Sequence, residues 1–347
     1  MFEKSFITDC EGPLTLNDNA FELADNFIEN GAELFKILSL YDDYLVDTVK
    51  RENYKAGNTL KLILPFFVCE NLKNRDMVDF SRNHIYAVND AQFLLKYLKK
   101  SMNTYIVSTS YGQYIKAVCD YMDVPFKNSF YTDVDIDALE LTDAESEKIR
   151  DYKKSILENP TDYELFDDIF FTHIPQMDIY DKISEIEVIG GPGKKEAIER
   201  IIERDSIDSA EIFYIGDSIT DVEPLKFARD NNGISISFNG NEYPLKVAEI
   251  AVVSPSAVTT AVIADIYNKY DKNKVLKFIN DYNNNNDLEK LFETYKVDSE
   301  IKNKFFSVFK DNYPVIEIVN NENYEEILDK SKVMRNNIRG QDIGGLG

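Results

Sequence analysis

Histidine, cysteine and tryptophan are scarce: 347 residues hold two histidines, three cysteines and no tryptophan. His84 and His173 stand alone, which argues against a histidine-rich zinc site. Cys10, Cys69 and Cys119 are odd in number and widely spaced, with no CxxC pair. That is the pattern of a reducing compartment and not of a disulfide framework. Basic residues are also short, 39 Lys and Arg against 62 Asp and Glu, for a formal charge of -23. Nucleic acids and anionic membrane surfaces attract basic patches, so neither is an expected partner. An anionic substrate stays open, because a metal ion with one or two lysines makes a local positive site in an acidic protein. Long apolar runs are missing too. Leu60 to Val68 is interrupted by Lys61 and Pro65 and is too short for a membrane helix. The opening Met-Phe-Glu-Lys has no signal-peptide pattern. The expectation is a soluble cytoplasmic protein with no membrane insertion. Composition is ordinary for a globular chain, 44% hydrophobic and 29% charged. The length predicts one large domain and one or two small ones.

What is present is concentrated in two short acidic segments. Asp9-Cys10-Glu11-Gly12-Pro13 follows the apolar pair Phe6-Ile7, and Gly216-Asp217-Ser218-Ile219-Thr220-Asp221 follows Ile212 to Ile215. Each has the form of a buried strand ending in carboxylates. A parallel sheet offers its ligand site at the carboxyl ends of its strands. Side by side, the two segments would gather Asp9, Glu11, Asp217 and Asp221 into a hard-oxygen pocket suited to Mg²⁺. A spare carboxylate could then serve as nucleophile and another as general acid/base. Glu11, two residues beyond Asp9, points to the same side of an extended segment, and close carboxylates raise one another's pKa. Plainer roles fit the same residues: Asp9 as a turn aspartate, Ser218 and Thr220 as helix caps.

Along the chain, residues 4–9 read as a strand and Asn103 to Val107 as a second, ending at Ser108-Thr109-Ser110. The Ser108 hydroxyl and the backbone that follows, Thr109 first, form a candidate phosphate cradle. Gly190-Gly191-Pro192-Gly193 opens a helix from Lys195 to Arg204, and Lys194 or Lys195 would neutralise a phosphate there. The turn lacks P-loop spacing. Ile234–Phe238 and Ile250–Val253 read as further strands. The alternation predicts an α/β fold, a doubly wound parallel sheet. Residues 1–14, 101–124 and 188–270 form its core. Residues 15–100 read as a helical insertion, 125–187 as a second insertion of acidic composition, and 271–347 as a helical extension with an edge strand near Tyr313–Val319 and a mobile tail.

The order of these motifs resembles the haloacid dehalogenase (HAD) superfamily. The order runs strand-end Asp9, strand-end Ser108, Lys194 at a helix start, then Gly216-Asp217-Ser218-x-x-Asp221. The resemblance implies a Rossmann-like core with an inserted helical cap, and a Mg²⁺-dependent phosphatase acting on a small phosphorylated metabolite. It gives Asp9 as nucleophile and Glu11 as general acid/base, with a backbone carbonyl that also reaches Mg²⁺. Ser108 is then the phosphate-binding hydroxyl, Lys194 the charge-balancing lysine, and Asp217 and Asp221 the acidic metal-site pair. Most phosphatases of the superfamily carry Asp where this chain has Glu11, although the enolase-phosphatase branch has a similar Asp-x-Glu-Gly. The segments Asp9 to Leu14, Asn17 to Leu23 and Tyr54 to Leu62 are also similar to methanogen proteins labelled energy-converting hydrogenase A subunit R. That similarity implies association with a hydrogenase complex, although no cysteine cluster supports hydrogenase chemistry. A non-catalytic subunit and a phosphomutase are the alternatives to a phosphatase.

Overall fold

The computed structural model describes residues 2–345. Short runs rich in Ile, Val, Phe and Tyr become strands, the central ones buried on both faces, where such side chains pack well on a pleated surface. In chain order they are β1 (Ser5–Thr8), β2 (Asn103–Tyr111), β3 (Ser129–Thr132), β4 (Ile212–Gly216), β5 (Ile234–Phe238), β6 (Ile250–Val253) and β7 (Val315–Ile318). One sheet holds them in the order β3-β2-β1-β4-β5-β6-β7. The first six are parallel and β7 closes one edge antiparallel to β6. This is the doubly wound, Rossmann-like α/β sheet that the motifs imply.

Alternation along the strands divides the core into two layers. Phe6, Ile106, Phe213 and Ile215 face a layer containing the helices Ala91–Leu98, Gly112–Met122 and Val258–Lys269. Ile7, Val107, Ile212 and Tyr214 face the helices Pro192–Asp205 and Val222–Asp230. Strand order reverses at β1, with β2 on one side and β4 on the other. Thr8 lies beside Ile106 and Ile215, so Asp9, Val107 and Gly216 fall level, with Ser108 and Asp217 one step beyond. The carboxyl ends of three strands therefore converge at the point of reversal, where sheets of this kind bind ligands.

A second apolar cluster is built from both insertions together. Leu34, Leu38, Tyr41 and Phe66 of the first share it with Ile149, Ile156, Phe166 and Phe170 of the second. The Tyr41 and Phe166 rings meet edge to face at 5.3 Å. The two insertions are thus one helical body, which corrects three of the sequence boundaries. Val88 to Leu98 packs in the sheet layer and not with the rest of 15–100. Ser129–Thr132, inside 125–187, is the edge strand β3. The expected tail is the helix Tyr324–Gly344, bent at Gly340 where φ is 80°. Its composition is polar, so no strong apolar stripe marked it. Ile327 anchors it against Leu245, Ala251 and Val253, and charged contacts described below hold its far end. The last two residues of the expected tail lie outside the described residues. The edge strand expected near Tyr313–Val319 is β7. No helix among the described residues is long and apolar enough to cross a membrane.

Phe166 is fully buried at the seam between the insertions. Phe166→Ala is expected to cost about 3–5 kcal/mol, read as a lower midpoint in denaturant unfolding followed by fluorescence of the tyrosines.

Candidate active site

At the end of β1, the Asp9 backbone N–H continues the ladder to the Ile215 carbonyl at 3.0 Å. The chain then turns tightly: Leu14 and Thr15 both donate to the Cys10 carbonyl, at 3.0 and 2.9 Å. Gly12 makes the turn possible. Its φ is +99°, and a Cβ there would lie 2.2 Å from the Asp217 carboxyl carbon. Asp9 itself is buried. Its Oδ1 accepts from the Cys10 N–H at 2.6 Å, and its Oδ2 accepts from Lys194 Nζ at 2.6 Å.

Lys194 sits in the first turn of the helix Pro192–Asp205, wholly excluded from solvent, and donates also to Asp221 Oδ1 at 2.8 Å. Burial works against its charge, but Asp221 and Asp9 outweigh burial and hold the ammonium above its ordinary range. Lys195 instead pairs at the surface with Glu199 at 3.2 Å. Of the two lysines left open by the sequence, the site therefore takes Lys194.

After β4, Asp221 organises the loop. Its Oδ2 accepts from the backbone N–H of Asp217 and Ser218 at 3.0 and 3.1 Å, and its Oδ1 also accepts from the Tyr214 hydroxyl at 2.6 Å. Gly216 gives it room, since a Cβ there would lie 2.3 Å from the Asp221 carboxyl carbon. Burial raises the Asp221 carboxyl, but Lys194 and these donors more than offset it and hold the pKa below the usual value. Asp9 is different. Burial first, then repulsion from Asp221 and Asp217, pushes it up to about 7 against the opposing pull of Lys194.

Asp9, Asp217 and Asp221 each present an oxygen within 4.8 Å of the others. Asp9 and Asp217 fit a cation such as Mg²⁺ there, with Asp221, filled by its own donors, behind them. The sequence also offered Glu11 as a metal residue, but its carboxyl is not in this cluster. It turns toward the helical body, where Oε1 accepts from the Asn19 N–H at 2.7 Å at the start of the helix Asn19–Phe27. Burial and the nearby Asp18 push the Glu11 carboxyl well above the usual range, toward its protonated form. Side chains two residues apart share a side only while the backbone stays extended, and here it turns at Gly12.

The Ser108 hydroxyl is buried and hydrogen-bonds the Ser110 hydroxyl at 3.2 Å. The neighbouring Thr109 Oγ1 is buried with no partner, and both residues line the same small cavity as Asp9. That cavity, about 110 Å³, lies between the sheet end and the helical body. Phe35, Ser39, Asp42, Asp43 and Thr59 form its far wall, and Arg335 and Arg339 close one side. None of these was found from the sequence. The i,i+4 spacing of the two arginines on a polar helix was their one local sign. Tyr214 looked like an ordinary strand residue.

A structure from Archaeoglobus fulgidus, the gene product AF1437, superposes on this chain with a TM-score of 0.81 and 30% identity, covering 99% of each chain. A phosphoserine phosphatase solved as a phospho-aspartyl intermediate analogue aligns at a TM-score of 0.48 and 14% identity, over 72% of this chain and 93% of that one. No family model matches the chain, and no curated protein matches it.

Two predictions follow from this geometry. Lys194→Met leaves two buried carboxylates without their cation and is expected to cost about 3–5 kcal/mol near neutral pH. Lys195→Met is expected to stay within about 0.5 kcal/mol, and chemical denaturation compares the two. Asp43 faces Asp42, Asp47 and Glu242, and burial followed by these charges pushes its carboxyl up to about 7, from an ordinary 3.8. A raised carboxyl favours the folded state below pH 4, and that contribution is lost as pH rises toward 7. Asp43→Asn is therefore expected to raise the melting temperature at pH 8, by about 1–2 kcal/mol of stability, with the difference closing by pH 4.

Proposed function

This chain belongs to the same protein family as the Archaeoglobus fulgidus gene product AF1437, and we propose that it is a phosphatase of the haloacid dehalogenase type, cleaving small phosphate monoesters. The observation that carries this reading is Lys194, buried between Asp9 and Asp221 at 2.6 and 2.8 Å, where three parallel strands end around one cavity. A fully buried lysine bound to two carboxylates is expensive as a fold element alone. It makes sense where charge must be balanced as a phosphoryl group arrives and leaves.

In the proposed reaction, the Asp9 carboxylate attacks phosphorus in line and the bond from phosphorus to the departing oxygen breaks. Glu11, held toward its protonated form, gives its proton to that oxygen. The resulting Glu11 carboxylate then takes a proton from the water that attacks the aspartyl-phosphate, which frees Asp9 and inorganic phosphate. Ser108 and Thr109 would hold phosphoryl oxygens, and the unpartnered Thr109 hydroxyl supports that role. Lys194 keeps Asp9 oriented and offsets charge on the transferring group. Asp9 and Asp217, with Asp221 behind them, would hold Mg²⁺, which supplies positive charge against the phosphoryl oxygens when bound. The helical body would serve as the cap that keeps bulk water from the cavity.

The test is phosphate release from an aryl phosphate and a panel of metabolite monoesters, with Mg²⁺ and with chelator. Wild-type turnover is expected to fall at least about 10³-fold in Asp9→Asn and to vanish in chelator. A folded, metal-binding wild type that releases no phosphate from any monoester would overturn the reading.

A further inference from the structure

The C-terminal helix Tyr324–Gly344 enters the site through two arginines on one face. Arg335 and Arg339 both reach the same oxygen of Asp217, Oδ2. Arg335 does so as a direct ion pair, and Arg339 lies at 3.0 Å. Arg335 also donates to the Asp217 backbone carbonyl at 3.2 Å, so it grips the residue by main chain and side chain together. Arg339 has each of its nitrogens on a protein acceptor: Nη1 on Asp217, Nε on the Leu16 carbonyl at 3.1 Å and Nη2 on the Asn17 carbonyl at 2.6 Å. A planar fork filled in this way holds Asp217 in place instead of reaching for substrate. On the other side the Gly12 backbone lies against the same carboxyl, where even a Cβ would come within 2.2 Å of its carbon.

What the cluster can offer a cation follows from its lone pairs. A carboxylate oxygen has about two acceptor sites. On Asp217 Oδ2 the two arginines occupy both, while Oδ1 accepts from no donor among the described residues. Asp221 is filled on both oxygens, Oδ1 by Lys194 and Tyr214 and Oδ2 by the N–H groups of Asp217 and Ser218. Asp9 carries one donor on each oxygen, the Cys10 N–H and Lys194. Asp42 and Asp43 line the far wall of the cavity and stand outside this cluster. Asp217 can therefore give a cation Oδ1 but not both oxygens. Mg²⁺ asks for a tight octahedron with one oxygen from each carboxylate, whereas the larger Ca²⁺ takes about 6–8 oxygens and readily accepts both from a single carboxylate.

Resting on the phosphatase reading, in which Asp9 and Asp217 hold the cation, we propose that Arg335 and Arg339 are positioning residues that set its metal selectivity. By filling Oδ2 they restrict Asp217 to one coordinating oxygen, which favours Mg²⁺ over Ca²⁺. Removing either arginine frees a lone pair on Oδ2 and lets Asp217 close on the larger ion with both oxygens. Loss of an arginine charge also strengthens the pull on any divalent cation. It acts alike on Mg²⁺ and Ca²⁺, which carry the same charge. The ratio of the two affinities therefore separates coordination from charge.

Mn²⁺ binding, followed by the loss of the free-ion electron paramagnetic resonance signal, reports the site on the full chain, in about 0.5 M KCl to screen exposed carboxylates. Mg²⁺ and Ca²⁺ are then titrated separately against the bound Mn²⁺. For the wild type, Mg²⁺ is expected to displace Mn²⁺ at a lower concentration than Ca²⁺ does. In Arg335→Met and in Arg339→Gln, the ratio of Ca²⁺ affinity to Mg²⁺ affinity is expected to rise at least about tenfold. A merely structural role would move both affinities together and leave the ratio where it was. Circular dichroism melts identify folded variants, and either variant suffices for the comparison. An unchanged ratio in the folded variants, or a wild type that takes Ca²⁺ in preference to Mg²⁺, would overturn the inference and leave the phosphatase reading standing. A wild type that binds no Mn²⁺ would remove both.

Discussion

An ammonium group with no access to water survives in a protein only where fixed negative groups replace its hydration. Lys194 is in that position. Asp9 comes from the end of β1, Asp221 from the loop after β4, and Lys194 from the first turn of the helix that precedes β4. The pairings tie these three points of the backbone together. Gly12 and Gly216 then follow as clearance requirements, because the carboxyls of Asp217 and Asp221 occupy the space that side chains there would need. Tyr214 and the N–H groups of Asp217 and Ser218 complete the acceptor capacity of Asp221, so the ion pair is also a hydrogen-bonded loop.

The rest of the cavity is assembled from parts far apart in the chain. The helical body contributes a wall through Phe35, Asp42 and Asp43, and in that body residues 134–183 pack on residues 20–77. Glu11 joins the two bodies. It leaves the turn after β1, yet its carboxyl accepts from the first N–H of the helix Asn19–Phe27. Burial and Asp18 raise the Glu11 carboxyl, and this hydrogen bond from Asn19 works against them.

Charge sets the limits on what the cavity admits. A chain with a formal charge of -23 has little positive surface, and it spends three deeply buried cations on this one place. Asp42 and Asp43 line the opposite wall, where burial raises both carboxyls. Fixed cations thus stand at the strand ends and carboxyls at the far wall.

The sequence determined the sheet and its chemistry-bearing edge. Short runs buried on both faces, each followed by Asp or Ser, can be read locally, because strand formation and the turns at Gly12 and Gly216 depend on neighbouring residues. Asp9, Ser108, Asp217 and Asp221 were legible for that reason, and so was the α/β order. What the tertiary structure alone decided is where distant segments meet. Lys194 prevailed over Lys195 because only one of two adjacent helix positions faces the strand ends. Glu11 left the carboxylate cluster because the helical body offers it the Asn19 N–H. Arg335 and Arg339 entered the site because a polar helix, which carries no strong apolar stripe to announce it, found its partners in the buried Asp217 and in two backbone carbonyls that lie more than 300 residues before Arg339. Apolar periodicity is written in every turn of a helix, whereas the partner of a buried charge is written only in the fold.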